Sequence, residues 1–168
     1  MTLWSFLHIS KVTQNNSTQQ TYNDQIGNFY SWDSTVANHA RVKVLDKVLI
    51  VDDRFILGSG IITKLSIETS SKVRSRCAKC ASTKISARTE ITPVYRCALC
   101  KFEFDIPAKE IIEVLSYIAY YGDAWRPFSG LLKKILEPAY HSKAVQQSIR
   151  QLDTSFLPLE VSEWSQTK

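Results

Sequence analysis

The sequence predicts an α+β fold: a curved β-sheet or small β-barrel, an inserted four-cysteine zinc ribbon, and a C-terminal helical segment. Three observations predict it. Apolar residues recur with strand-like spacing over Trp4–Val12, Arg41–Asp52 and Phe55–Glu68. The only four cysteines form two C-x2-C pairs. Beyond Pro107, apolar residues recur at helical spacing. The expected organisation is a β-rich core over 1–70, the ribbon over 71–106, a helical segment over 107–160 that packs on the core, and a tail over 161–168.

The elements follow in chain order. Trp4 to Val12 alternates enough for a first strand. Thr13 to Asn28 is polar and has no apolar period, so it reads as a surface loop long enough to be functional or mobile. Phe29-Tyr30-Ser31-Trp32-Asp33-Ser34 then concentrates three aromatic residues beside an acid. Arg41 to Asp52 reads as β, from Val42, Val44, Val48 and Ile50 with Leu49 and Val51 interleaved. Asp52-Asp53-Arg54 is a turn. Phe55 to Glu68 is a second β stretch, and Gly58-Ser59-Gly60 inside it suggests a bulge or the sharp bend that closes small barrels. Val73 to Phe104 is the ribbon, closed by Phe102-Glu103-Phe104-Asp105. Pro107 opens a helix where its missing N–H costs nothing. Ile111, Val114, Leu115 and Ile118 form the helical stripe and Gly122 ends it. Ser129 caps a short helix through Leu131, Leu132, Ile135 and Leu136 that stops at Pro138. A third helix runs from about His141 to Leu152.

Cys77, Cys80, Cys97 and Cys100 have the spacing C-x2-C-x16-C-x2-C, inside the range of four-thiolate metal sites. Each C-x2-C turn aims two sulfurs at one point, which suits one structural Zn2+ in a closed tetrahedral site. Two disulfides, or four unrelated buried thiols, are the alternative. Paired thiols without a signal peptide point to a reducing compartment, hence the cytoplasm. No run of eighteen apolar residues is present, so no membrane is expected as a partner.

Net charge is +5, with pI near 9.0 and mean hydropathy of -0.15. The charge is concentrated in the ribbon. Between Lys72 and Lys101 lie eight basic residues against the single acid Glu90. A stapled segment this basic suits a polyanion, and phosphate contacts are the usual reason. Arg74, Arg76, Lys79, Lys84 and Arg88 are the candidate phosphate contacts. Arg150 joins them from the third helix, where it shares a face with Gln146.

Tyr22, Phe29, Tyr30 and Trp32 sit near Asp24 and Asp33. Flat faces beside hydrogen-bond acceptors are what a pocket for a planar base requires, although aromatics at a strand start are as often core. Catalysis is not advertised. His8, His39 and His141 are far apart, the cysteines are committed to metal, and the carboxylates are scattered. The chain reads as a binder rather than an enzyme, with no catalytic residue assigned.

Tyr22-Asn23-Asp24, Tyr30-x-Trp32-Asp33-Ser34-x-Val36-x-Asn38-His39 and Leu57-Gly58-x-Gly60-x-Ile62 together resemble the N-terminal region of bacterial HNH-type restriction endonucleases. The resemblance continues through the two-knuckle ribbon to Tyr117-x-x-Tyr120, Trp125 and the run from Gln147 to Asp153. It implies the specificity module of a modification-dependent, type IV-like restriction system, with a PUA-like barrel of the EVE, ASCH or SRA kind. Such a module flips a modified cytosine, 5-methyl or otherwise, out of double-stranded DNA. Tyr30, Trp32 and Asp33, with Tyr22, Asn38 and His39, would line its pocket. The family's HNH domain has no counterpart in these residues: either a nuclease domain or subunit lies beyond the C-terminus, or the protein acts as a reader alone. Leu45-Asp46 stands where the barrel families more often have Gly-Asp. An RNA-binding PUA-like and zinc-ribbon protein, or a protein-interaction scaffold, would carry the same ribbon.

Overall fold

The computed structural model describes residues 1–9, 22–88, 90–144, 147–159 and 161. Eleven strands run through them: β1 (Leu3–Leu7), β2 (Phe29–Asp33), β3 (Lys47–Val51), β4 (Ile56–Ile61), β5 (Lys64–Arg76), β6 (Ile85–Ala87), β7 (Tyr95–Cys97), β8 (Glu103–Phe104), β9 (Ala108–Tyr120), β10 (Arg126–Pro127) and β11 (Ile149–Leu152). They form three sheets, ordered β10-β4-β3-β1-β11, β2-β9-β5 and β6-β7-β8. Among the described residues no sheet closes into a barrel. Of the two expected forms, the closed barrel is therefore not formed by these residues.

The chain divides into two units. The first comprises Met1–Ile9, Tyr22–Glu68 and Leu115–Lys168, and the second holds Thr69–Val114. In the first, β1 pairs parallel with β3 and antiparallel with β11. Apolar side chains cover both faces of this sheet. Trp4, Phe6, Val48, Ile50 and Ile149 meet Tyr30, Trp32, Tyr117 and Ala119 of β2 and β9 on one side. Leu3, Leu49, Val51, Ile56 and Leu152 meet Leu136 and Ala139 on the other. Burial on both faces explains the unbroken apolar run of β3, which alternation alone would not produce.

The glycines of β4 allow close approach. Pairing slips between Ile50↔Gly58 and Val51↔Ile56, leaving Leu57 as the extra residue of a bulge. A Cβ on Gly58 would lie 2.4 Å from Trp125 Cη2 and 2.6 Å from the carbonyl oxygen of Arg126. On Gly60 it would lie 2.9 Å from Tyr121 Cβ. The Asp52 turn is held by its carboxylate, which accepts from the backbone N–H of Arg54 and Phe55.

Among the described residues of 107–160, strands and short 3-10 segments stand where the helices were expected. Ala108–Tyr120 is the thirteen-residue strand β9, and Ile111 of the expected apolar stripe is exposed while Tyr117 and Ala119 are buried. The segment is rich in β-branched and aromatic residues, which favour a pleated surface. β2 also supplies a partner, pairing Phe29–Asp33 with Tyr120–Ser116. The second expected helix is a 3-10 segment, Lys133–Ala139, that contains Pro138. The third is absent over Ile149–Leu152, which is strand β11. Other short helical pieces lie at Gly122–Ala124 and Thr154–Phe156. The first strand ends at Leu7 rather than Val12. Most of the expected Thr13–Asn28 loop, and Gln146, lie outside the described residues. No helix among the described residues is long and apolar enough to cross a membrane.

Candidate metal centre and candidate nucleic-acid interface

The four cysteines converge. Their sulfur atoms all lie within 4.8 Å of one another. Cys77 Sγ is 3.6 Å from Cys100 Sγ, and Cys80 Sγ is 3.6 Å from Cys97 Sγ. A disulfide needs about 2.0 Å, so none is formed. Sulfurs at tetrahedral corners about 2.3 Å from one ion sit roughly 3.8 Å apart, and the observed spacing fits that edge.

The same turn is built twice. Ala81 N–H donates to Cys77 O at 3.0 Å, and Lys101 N–H donates to Cys97 O at 3.0 Å. Cys77 N–H reaches Ser82 O and Cys97 N–H reaches Phe102 O. Both turns place the residue after the second cysteine at positive φ, 57° at Ala81 and 60° at Lys101. Neither is glycine, so each turn carries about 1–2 kcal/mol of backbone strain that the closed site must hold. Backbone N–H groups of Cys100 and Leu99 hold the Cys97 thiol down, to about 6. Cys80 is lowered by the Ser82 N–H, yet crowding against Cys100, Cys97 and Cys77 pushes it up to about 12. Four sulfurs this close cannot all ionise without a cation between them. With all four donors from protein, the site leaves no position for a substrate.

Among the described residues, little beyond the four cysteines holds this unit. Its buried cluster is Cys77, Cys97 and Phe104, with Ile85, Tyr95 and Cys100 packed around it. Phe104 stacks between Tyr95 and Phe102, with both centroid separations at 5.8 Å. The pairing Tyr95↔Phe104 and Arg96↔Glu103 puts the rings on one face of the small sheet and the charges on the other.

The expected phosphate contacts divide into two sets. Arg74 and Arg76 converge on Glu110: Oε2 accepts from Arg74 Nη2 at 3.2 Å and from Arg76 Nε at 2.6 Å. Arg88 Nη1 lies 2.8 Å from Glu103 Oε1, and Arg96 Nε lies 3.7 Å from the same oxygen. Hydrogen bonds from Arg76 and Arg74 hold Glu110 below the usual carboxylate range, and one from Arg88 does so for Glu103. Lys79 and Lys84 are exposed, as are Arg96 and Lys101. The Lys79 ammonium stands 5.7 Å from the Phe102 ring centre. Thr69–Val114 carries nine basic side chains against five acidic ones, a net +4. The pairing with Glu103 and Glu110 leaves no mark in the basic run itself, because both acids follow that run in the chain. Arg150 belongs to the other unit, where its guanidinium lies 3.4 Å from the Tyr140 ring centre and donates to Ser142 O.

The expected base-pocket residues are also divided. Tyr30 and Trp32 are buried in the main core, with Trp32 only 1% exposed. Trp32 stacks on Tyr117 at 5.3 Å and 5°, and its Nε1–H donates to His39 O. Tyr30 OH donates to Leu7 O. Asn38 Nδ2 donates to Ile149 O, tying its loop to β11 from a backbone φ of 67°. The His39 ring is tilted against Tyr117, with Nδ1 3.0 Å from Val36 O. Tyr22 and Asp33 do come together: Tyr22 OH donates to Asp33 Oδ2 at 2.8 Å, and Thr35 occupies Oδ1. Beside β2, Asp24 Oδ1 accepts from Ser31 N and Oγ, with His8 Nδ1 3.7 Å from its other oxygen. Burial raises the Asp24 carboxyl, against the Ser31 donors and His8 that lower it.

Asp46 is marked in the sequence only as the second residue of the Leu45-Asp46 step. Buried, it accepts from Thr2 N at 2.8 Å, Trp4 Nε1 at 2.9 Å and Lys43 N at 3.0 Å, locking the entry to β3. Leu45, where the resembling barrels more often have glycine, adopts φ 71°. Comparison with protein-family models, curated proteins and solved structures found no match.

Proposed function

We propose that this chain is a DNA-binding module whose Zn2+-bearing ribbon grips the phosphate backbone of duplex DNA. Four thiolates at tetrahedral spacing favour Zn2+ over harder cations. The observation that carries the reading is the charge around the closed metal site. The segment Thr69–Val114 that holds it keeps a net +4 after its internal ion pairs, and it exposes Lys79, Lys84, Arg96 and Lys101. These cations supply affinity and register without reading sequence.

The finer part of the proposal is recognition of a modified cytosine, as the specificity part of a modification-dependent restriction system. It rests on the resemblance of the β2 region. With Tyr30 and Trp32 committed to packing, they stand behind any such site as its rigid support. Tyr22 and Asp33 bond to each other and Thr35 holds the other Asp33 oxygen, so a base edge would meet this buried carboxylate only by displacing one of those partners. The test is binding by the zinc-loaded chain to duplexes that differ only in cytosine modification, beside a Lys79→Glu/Lys84→Glu/Lys101→Glu variant. The proposal expects the variant to weaken binding to every duplex alike. Each lost phosphate contact should reduce the salt slope by about 1. Unchanged binding by the variant would remove the ribbon from the interface.

A further inference from the structure

We infer that the arginine pairs Arg74–Arg76 and Arg88–Arg96 are two phosphate sites, each held open by a glutamate that a nucleic-acid phosphate displaces. This rests on the nucleic-acid reading above and names where the phosphodiester oxygens bind.

In each pair one carboxylate oxygen faces two guanidinium groups: Glu110 Oε2 for Arg74 and Arg76, and Glu103 Oε1 for Arg88 and Arg96. Two positive charges meet one negative charge, so each cluster keeps a surplus of +1. The planar guanidinium fork suits a phosphate as well as a carboxylate, so both ligands compete for the same donors. A phosphodiester also brings a second free oxygen. Arg74 Nε is buried and has no hydrogen-bond partner, so a donor is left over that the single glutamate oxygen does not satisfy.

Exchange is physically accessible. The Glu110 and Glu103 side chains are 41% and 40% exposed, so the leaving carboxylate moves directly into water. The arginines do not depend on the glutamates alone for position. Arg76 Nη1 donates to Ala81 O at 2.8 Å, beside the first metal knuckle. Arg88 Nε donates to Pro93 O at 3.1 Å. Both guanidiniums thus stay anchored to backbone when the carboxylate leaves. Before binding, the glutamates keep the four arginines ordered and screen them from unspecific anions. The ribbon is partly self-neutralised, and its full charge is expressed only against a phosphate.

The test is a set of equilibrium titrations of zinc-loaded protein with a fluorescent DNA duplex at low and moderate salt. It uses wild type, Glu110→Gln, Glu103→Gln and the cycle Glu110→Gln with Arg76→Ala. Cobalt substitution of the thiolate site, read by its visible absorption, confirms that each ribbon is folded. The expected result is tighter binding by each glutamine variant, by roughly three- to tenfold, for modified and plain duplex alike. The gain at Glu110 should vanish in the Arg76→Ala background. Unchanged or weaker binding by the glutamine variants, with wild-type binding intact, overturns the exchange and leaves the DNA-binding proposal standing. No binding by wild type or any variant overturns both.

Discussion

Removing the metal should unfold the ribbon and spare the main sheet. Among the described residues, the buried cluster of the second unit is Cys77, Cys97 and Phe104, with Ile85, Tyr95 and Cys100 packed against it. Full burial of a phenylalanine contributes about 2–3 kcal/mol, and each cysteine less. Ordering a residue's backbone costs about 1–2 kcal/mol, so this cluster offsets the ordering of only a few residues. A structural Zn2+ contributes about 10–16 kcal/mol, more than the whole apolar cluster beside it. The main unit has two extensive buried clusters and needs no metal. The assay is residue-resolved hydrogen exchange before and after a strong chelator. Protection should be lost at the amides of Ala81, Arg88, Cys97, Ala98 and Lys101, which bond within the ribbon. It should persist along β1, β3 and β4. Acid should act in the same direction, because protons compete with the ion for the thiolates. Persistent ribbon protection after verified metal removal would refute the reasoning, and so would simultaneous loss throughout the chain.

Other changes have calculable consequences. Gly58→Ala forces a Cβ to within 2.6 Å of the Arg126 carbonyl oxygen and onto the Trp125 ring. It should cost about 1–3 kcal/mol, read as a lower thermal midpoint. Trp32→Ala removes a stacked ring from the core and should cost about 3–5 kcal/mol by denaturant titration, whatever its effect on binding. Leu45→Gly relieves a positive φ at an exposed position and should raise stability by about 1 kcal/mol, visible as a higher denaturation midpoint. Glu103 and Glu110 have lowered folded-state values, so their contribution is full above the ordinary carboxylate value of 4.5 and is lost as pH falls through the lower folded values. Hydrogen exchange in the ribbon should therefore rise with acid less steeply in a Glu103→Gln/Glu110→Gln variant than in wild type.

The cysteine ligands were legible because metal chemistry fixes both residue type and spacing. Convergence of the four sulfurs needed no information from the rest of the chain. The Asp52 turn and the glycine irregularity in β4 were legible for a similar, local reason. The C-terminal half was not. Ile111, Val114, Leu115 and Ile118 satisfy a helical stripe, but β9 buries Val114, Tyr117 and Ala119, and its partner β2 lies some eighty residues earlier. Pairing that distant decides the state and leaves no local mark beyond β-branched content. The charge of the ribbon was legible in total but not in arrangement. Its basic run reads as free cations until the chain returns Glu103 and Glu110 to it. Tyr30 and Trp32 show the same limit, since an aromatic cluster reads alike as pocket or as core. The Leu45-Asp46 step was more informative than its departure from glycine suggested: Leu45 takes the positive φ, and the buried Asp46 accepts three anchoring bonds.

The central claim is most directly tested by titrating the zinc-loaded chain onto otherwise identical duplexes carrying plain, 5-methyl, 5-hydroxymethyl or glucosylated cytosine. Single-stranded DNA and RNA of the same sequence serve as competitors. The account predicts salt-sensitive binding to every duplex and a clear preference for one modified form over plain DNA. Absence of binding at low salt would contradict it. Preference for RNA over every duplex would contradict it equally, and would assign the ribbon's charge to RNA instead.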